Sequence, residues 1–351
     1  MTLTEVSYYS RRYMPAAILV FLLVLILYYS LRLVVMVGQT QRSTVVSVNP
    51  AFGKIPRPVL EKPASVSGQL NYVLDTIEGQ PVTSTAAAQV FRIPEATPNF
   101  SYLTKIYLVA KNIGFDTETV KHTKVGNEAV FDDGTQKLSI DITNYNFTYD
   151  LQFAQDHQLF ASNGAQLQQS AAEQKAVDFL QLVDRYPDGL AQGKTNTTFF
   201  RYDINLRQMQ PLPSADGANV VEVDFYRPDI AGYPTVSSQY LNSQNYVIMA
   251  VDNDGSFRVL RAQVRYYDVS SQQVGVYPVI SGDTAFSELK AGHALFVNVP
   301  VNGGTVNIKT MFLGYYDPTS YQPYFEPIYV FWGDNQFAAY VPALTSEYYQ
   351  E

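Results

Sequence analysis

Side chains able to move protons, hold metals or attack a carbonyl are few in this chain. It has three histidines and no cysteine. The missing thiol excludes disulfide frameworks, thiolate zinc sites, iron–sulfur ligation and cysteine nucleophiles. His122 lies in a lysine-rich stretch, His157 follows Asp156, and His293 follows Gly292, so no two histidines are sequence neighbours. No H-E-x-x-H, P-loop or G-x-S-x-G spacing sets a nucleophile or metal beside them. The sequence therefore predicts no catalytic residue, no cofactor and no metal ligand.

Carboxylates bunch at Asp132-Asp133-Gly134 and at Asp252-Asn253-Asp254-Gly255. Calcium takes six to eight oxygens, and the helix–loop–helix calcium frame set on Gly255 puts Ala250 and Arg261 at its first and last ligand positions. Asp-Gly is also what a tight hairpin asks for on backbone grounds, and that reading is the simpler one. Tyr315, Tyr316, Tyr321, Tyr324 and Phe325 cluster in a stretch with Pro, Ser and Thr. Such residues are candidate partner contacts. The alternative is that Phe325, Ile328, Val330 and Trp332 alternate into a sheet while the tyrosines cover its edge.

Elements must position these groups, and the first is apolar. Residues 14–37 carry one charge, Arg32, and at ~1.5 Å per residue reach about 36 Å, enough to cross a bilayer. They predict a transmembrane helix and an uncleaved anchor, behind a cytoplasmic tail, 1–13, in which Arg11 and Arg12 set the topology. The body then lies outside the cytoplasm, at a cell membrane crossed once. Three N-x-S/T triplets, at Asn99, Asn146 and Asn196, are glycosylation acceptors only in a secretory pathway. The net charge of −8 argues against nucleic acid as a partner.

Residues 38–88 collect prolines among polar residues and read as a spacer. Beyond it the pattern is α+β: repeated helix-on-antiparallel-sheet modules, the first over 89–165 and the second over 166–351. One helix follows Pro98, capped by Asn99 or Ser101, with Leu103, Ile106, Tyr107, Ala110 and Ile113 inward and Gly114 as stop. A second opens on the capping box Ser170-Ala-Ala-Glu173 and turns Ala176, Phe179, Leu180 and Val183 inward. A third is capped by Asp283 or Thr284 and stopped by Gly292, with Phe286 and Leu289 inward. Hairpins are expected at Asp133-Gly134, Asp216-Gly217, Asp254-Gly255 and Gly303-Gly304.

Ala51-Phe-Gly-Lys-Ile-Pro56, Tyr72-Val-Leu-Asp-Thr76, Ile113-Gly-Phe115, Phe325-Glu-Pro-Ile-Tyr-Val-Phe-Trp-Gly333 and Tyr340-Val-Pro-Ala-Leu344 together resemble a group of single-pass bacterial membrane proteins with no assigned function. More distantly, Tyr277-Pro-Val-Ile through Leu344 is similar to the extracytoplasmic modules of YycH/YycI-type regulators and PepSY-like domains. That resemblance implies helix-wrapped sheets that act by contact on a membrane partner, and it transfers no residue role.

The sequence as a whole leads to a non-enzymatic, membrane-anchored binding or regulatory protein with a membrane or envelope protein as partner. Two alternatives stay open. One is a surface-adhesion or glycan-binding module using the Tyr315–Phe325 stretch, and the other an envelope hydrolase or transferase with a non-obvious site, which loss of activity on changing His157 or Asp156 in a folded protein would support.

Overall fold

The computed structural model describes residues 14, 19–32, 47–60, 64–65, 68–154, 156, 159–160, 167–240, 242–251, 255–300 and 303–350. The chain divides into an N-terminal unit, Met1–Ser47, and a body, Val48–Glu351. In the first unit residues 19–32 are helical, with exposed apolar side chains such as Phe21 and Leu27. Among the described residues no helix is long and apolar enough to cross a membrane. Apart from Met14, the rest of the expected 14–37 span, with Arg11 and Arg12, lies outside the described residues.

The body is α+β, mostly sheet with few helices. In chain order it runs β1 (Leu70–Leu74), β2 (Ala87–Arg92), α1 (Tyr102–Ile113), β3 (Thr123–Val125), β4 (Glu128–Asp132), β5 (Gln136–Asp141), β6 (Phe147–Leu151), α2 (Gln169–Leu182), α3 (Asp188–Ala191), β7 (Lys194–Asp203), β8 (Gln208–Leu212) and β9 (Val220–Tyr226). There follow β10 (Thr235–Ser237), β11 (Tyr246–Val251), β12 (Phe257–Val264), β13 (Val274–Pro278), α4 (Gly282–Lys290), β14 (Leu295–Asn298), β15 (Gly304–Asp317), β16 (Tyr324–Phe325), β17 (Pro327–Gly333) and β18 (Ala338–Pro342).

Nine strands form one antiparallel sheet in the order β3-β4-β5-β6-β12-β11-β9-β7-β8. Period-2 alternation gives it two faces. Phe131, Leu138, Phe147, Val221, Val223 and Phe225 point to the face covered by Ile106 and Ala110 of α1 and by Ala176 and Leu180 of α2. Val220, Ile248, Ala250 and Leu260 pack with Phe153 and Tyr202 in a smaller cluster. The remaining strands build a six-stranded sheet, β1-β15-β17-β18-β14 with β10 beside β15, and a three-stranded sheet, β13-β2-β16. Their core includes Ile55, Tyr277, Phe286 and Leu289 of α4, Tyr329 and Phe331.

This topology corrects the expected domain plan. The stretch read as a spacer is part of the body from residue 48 onward: β1 pairs in parallel with β15, Leu70 opposite Gly304, and Ile55 is fully buried. The boundary at 165/166 also fails, because β6 of the first expected module pairs with β12 of the second, Asp150 opposite Arg261. Prolines mark chain that cannot donate to a ladder, but chain of that kind still packs.

The helix ends differ in detail from expectation. Leu103 faces solvent, and the buried stripe of α1 is Ile106, Val109 and Ala110. Gly114 ends α1 at φ 114°, donating to the carbonyls of Ala110 and Lys111. The Ser170–Glu173 capping box does not form. The helix starts at Gln169, and Glu173 instead accepts from Thr197 Oγ1 on β7 at 2.8 Å and from Gln169 Nε2 at 2.8 Å. α4 is capped by Ser281, whose Oγ accepts from the Thr284 N–H, rather than by Asp283 or Thr284.

Candidate functional site

The two sheet systems meet where the chain leaves β12 and enters β13, and a cleft of about 450 Å³ opens along that seam. Its floor begins in the turn after β5. Asp141 accepts from the Thr143 N–H at 2.7 Å and from Asn144 Nδ2 at 3.0 Å, and Asn144 Oδ1 accepts from the Asn146 N–H at 2.8 Å. The turn carries Tyr145 to φ 61°, an uncommon conformation for a residue with a bulky side chain.

Asn146 is fully buried, and its Oδ1 accepts from Arg185 Nη2 at 2.7 Å and from the Tyr266 N–H at 3.0 Å. Buried polar atoms need partners, and here one amide oxygen ties three segments together. Arg185 is set by the end of α2, where Asp184 adopts φ 52° and the Arg185 N–H returns to the Leu180 carbonyl at 2.8 Å. The same Nη2 donates to the Tyr266 carbonyl at 2.7 Å. Burial lowers the guanidinium pKa below its ordinary value, and nearby Asp268 works against that shift. Asp184 pairs with Lys105 at 2.9 Å, and the Lys105 ammonium stands 4.2 Å above the Tyr145 ring.

A second arginine holds the next carbonyl of the same linker. Arg227, just past β9, donates from Nη2 to the Tyr267 carbonyl at 2.7 Å, and its Nε lies 3.2 Å from Asp317 Oδ1 at the end of β15. Its guanidinium stacks 3.9 Å from the Tyr266 ring and 5.2 Å from the Phe325 ring. Asp317 is buried, which raises its pKa, and Arg227 opposes the rise.

Of the five expected contact residues, Tyr321 alone lines this cleft. It is 38% exposed, donates to the Ile93 carbonyl at 3.2 Å, and meets the Tyr267 ring edge-on at 6.1 Å. Tyr324 is half-buried under Arg92. Tyr315, Tyr316 and Phe325 are not in an exposed loop: they are strand residues inside the core, Tyr315 donating to the Gln89 carbonyl at 2.8 Å and stacking on Phe325 at 5.6 Å. The expectation of an aromatic contact loop is corrected for those three, because β15 extends through Asp317 and carries Tyr315 and Tyr316 inward.

The other flagged groups that are described make local contacts. His122 Nδ1 lies 3.2 Å from Tyr107 Oη, beside the Phe131 ring, and His293 Nδ1 lies 2.7 Å from Glu288 Oε2. Asp133 accepts from the N–H groups of Thr135 and Gln136; desolvation works to raise its pKa, but these bonds and those from the two side chains hold it below its usual value. Among the described residues no three His, Asp or Glu side chains gather as metal ligands. His157 and Asp252-Asn253-Asp254 lie outside the described residues.

Asn146 and Arg185 escaped the sequence reading. Asn146 stood out there as an N-x-T triplet, a signal of surface that its complete burial reverses. Nothing in the spacing joins two residues 39 positions apart.

No protein family and no curated protein matches the chain. Among solved structures, a protein from Eubacterium rectale is similar at 15% identity, covering 82% of this chain and 92% of its own, with a TM-score of 0.41. The C-terminal domain of Bacillus megaterium YpeB is similar at 14% identity, covering 72% of this chain and 95% of its own, with a TM-score of 0.28.

Proposed function

We propose that the protein acts by contact: a binding or regulatory protein, anchored once in a cell membrane through residues 14–37, whose extracytoplasmic body recognises a membrane or envelope protein. The observation that carries this reading is the seam cleft, lined by Tyr145, Tyr266, Tyr267 and Tyr321 with Arg185 among them. Tyrosine and arginine in a partly desolvated recess dominate protein-contact energetics. The acidic balance of the chain suits a protein partner better than nucleic acid.

Site-specific photocrosslinking of the full-length protein in cells tests it. A photoreactive residue at position 321 is expected to capture one defined protein that the same residue at exposed Leu206 does not. Equal capture from both positions, or none from 321, rejects the cleft as the contact. Exchange of residues 14–37 for an unrelated apolar span tests the anchor: loss of the adduct with a folded body means the native helix contributes to the contact.

A further inference from the structure

We propose that Glu326 is a proton-operated latch: while its carboxyl keeps its proton, residues 344–350 lie strapped across residues 52–58, and loss of the proton frees the two segments from each other. The Ile55 N–H donates to the Tyr348 carbonyl at 2.9 Å, the Gln350 N–H donates to the Ile55 carbonyl at 2.9 Å, and Gln350 Nε2 donates to the Lys54 carbonyl at 3.0 Å. Arg57 lies 4.5 Å from the centre of the Tyr349 ring, and Tyr348 meets the Tyr277 ring edge-on at 5.4 Å. Tyr277 Oη accepts in turn from the Phe52 N–H at 2.9 Å. Ile55 and Tyr349 are buried in this arrangement.

Glu326, between β16 and β17, is 3% exposed. Tyr349 faces it from the strap, Arg57 from the 52–58 segment and Tyr277 from β13, with Tyr324 and Tyr348 beside Tyr277. Burial raises the Glu326 pKa well above the usual carboxylate range, and Tyr349 and Arg57 oppose the rise. Tyr349 does so by proximity only, for neither its Oη nor Glu326 Oε2 completes a hydrogen bond. Ionised in this place, the carboxylate would have as counter-charge the guanidinium of Arg57, which is itself exposed, and a buried charge without full pairing is costly. The flanks of Glu326 are held in ladders, β16 to β2 and β17 to β15 and β18, so the strap yields first. The folded value lies above the unfolded one, and the closed strap is therefore most stable below pH ~4.5 and loses that stability as pH rises toward the folded value. Residues 52–58 lie in the chain between the N-terminal unit and β1, so opening lengthens the free connection between them.

Hydrogen exchange of the detergent-solubilised full-length protein tests the latch, read by mass spectrometry between about pH 5 and 7 and corrected for the intrinsic exchange rate at each pH. Protection of the peptides over 52–58 and 344–350 is expected to fall about tenfold per pH unit, because opening releases one proton, and to stay below that of β17 at every pH. In Glu326→Gln the same peptides are expected to keep one level of protection throughout. Glu326→Met, which also removes the ionising group, is the second variant, for the case in which the amide disturbs the core. A flat profile in the unaltered protein overturns the latch, and so does a tenfold slope that persists in either variant. Equal protection of the strap and β17 at each pH overturns it as well, since the whole body then opens together.

Discussion

At the scale of single residues, Arg185 and Arg227 do similar work, each donating to one of the two consecutive carbonyls by which the chain passes between sheets. Only Arg227 pairs with a deeply buried carboxylate, Asp317. Removing one partner of a buried pair leaves an uncompensated charge, at a cost of about 3–5 kcal/mol, whereas replacing both by apolar groups is far milder. Arg227→Met should therefore lower the unfolding free energy in urea by about that amount, and Arg227→Met with Asp317→Leu should recover most of it. Glu222 and Asp224 project from one face of β9, and burial pushes them up to about 7 and about 6. Their folded values lie above their unfolded ones, so the folded state holds these protons more tightly than the unfolded chain does. The protonated pair favours the fold most below pH ~4, and that advantage is lost as pH rises through about 6 and then about 7. Glu222→Gln should flatten much of this slope and raise stability at pH 8 by on the order of 1 kcal/mol, read from melting curves between pH 5 and 8.

At the scale of elements, three helices were legible from apolar spacing and stop signals, because helical periodicity and glycine caps are local properties. Their caps were less legible. Ser281 holds the start of α4 through the Thr284 N–H at 3.2 Å, and Ser281→Ala should cost about 1 kcal/mol in thermal denaturation. Ser170, by contrast, sits inside α2, and Ser170→Ala should be near neutral, since its expected capping partner is engaged with Thr197. Gly193 shows how an element can depend on a missing side chain. A Cβ there would lie 1.7 Å from the Tyr226 carbonyl oxygen, and backbone cannot yield as a flexible side chain does. Gly193→Ala should pull the start of β7 off β9 and cost more than about 2 kcal/mol, visible as a lower urea midpoint.

At the scale of the whole molecule, the body is built from chain that leaves one sheet system and returns to it. Residues 48–92 precede the nine-stranded sheet, yet they supply β1 to β15 and β2 to the centre of the three-stranded sheet. A chain begun at residue 48 should melt at the temperature of the full-length protein, since the body is one unit from there. A chain begun at residue 93 should lose its cooperative transition, because β13, β15 and β16 each lose a strand partner. Circular dichroism on the two truncations separates these outcomes.

The sequence by itself determined the local properties: an apolar N-terminal segment, helices with their stops, the hairpin at Asp133-Gly134, an acidic and thiol-free composition. Each follows from neighbouring residues, through side-chain transfer energies, backbone conformational preference and charge. The tertiary structure alone decided partnership. Alternation of period two says which residues share a face but not which strand lies alongside, so β6 with β12 and β1 with β15 could not be read off. The five aromatics were divided the same way, Tyr315, Tyr316 and Phe325 going to the core and Tyr321 to the cleft. The cleft itself arises from that pairing: Asn146, Arg185 and Tyr266 come from three segments and meet because two sheets, assembled from distant strands, close on one linker.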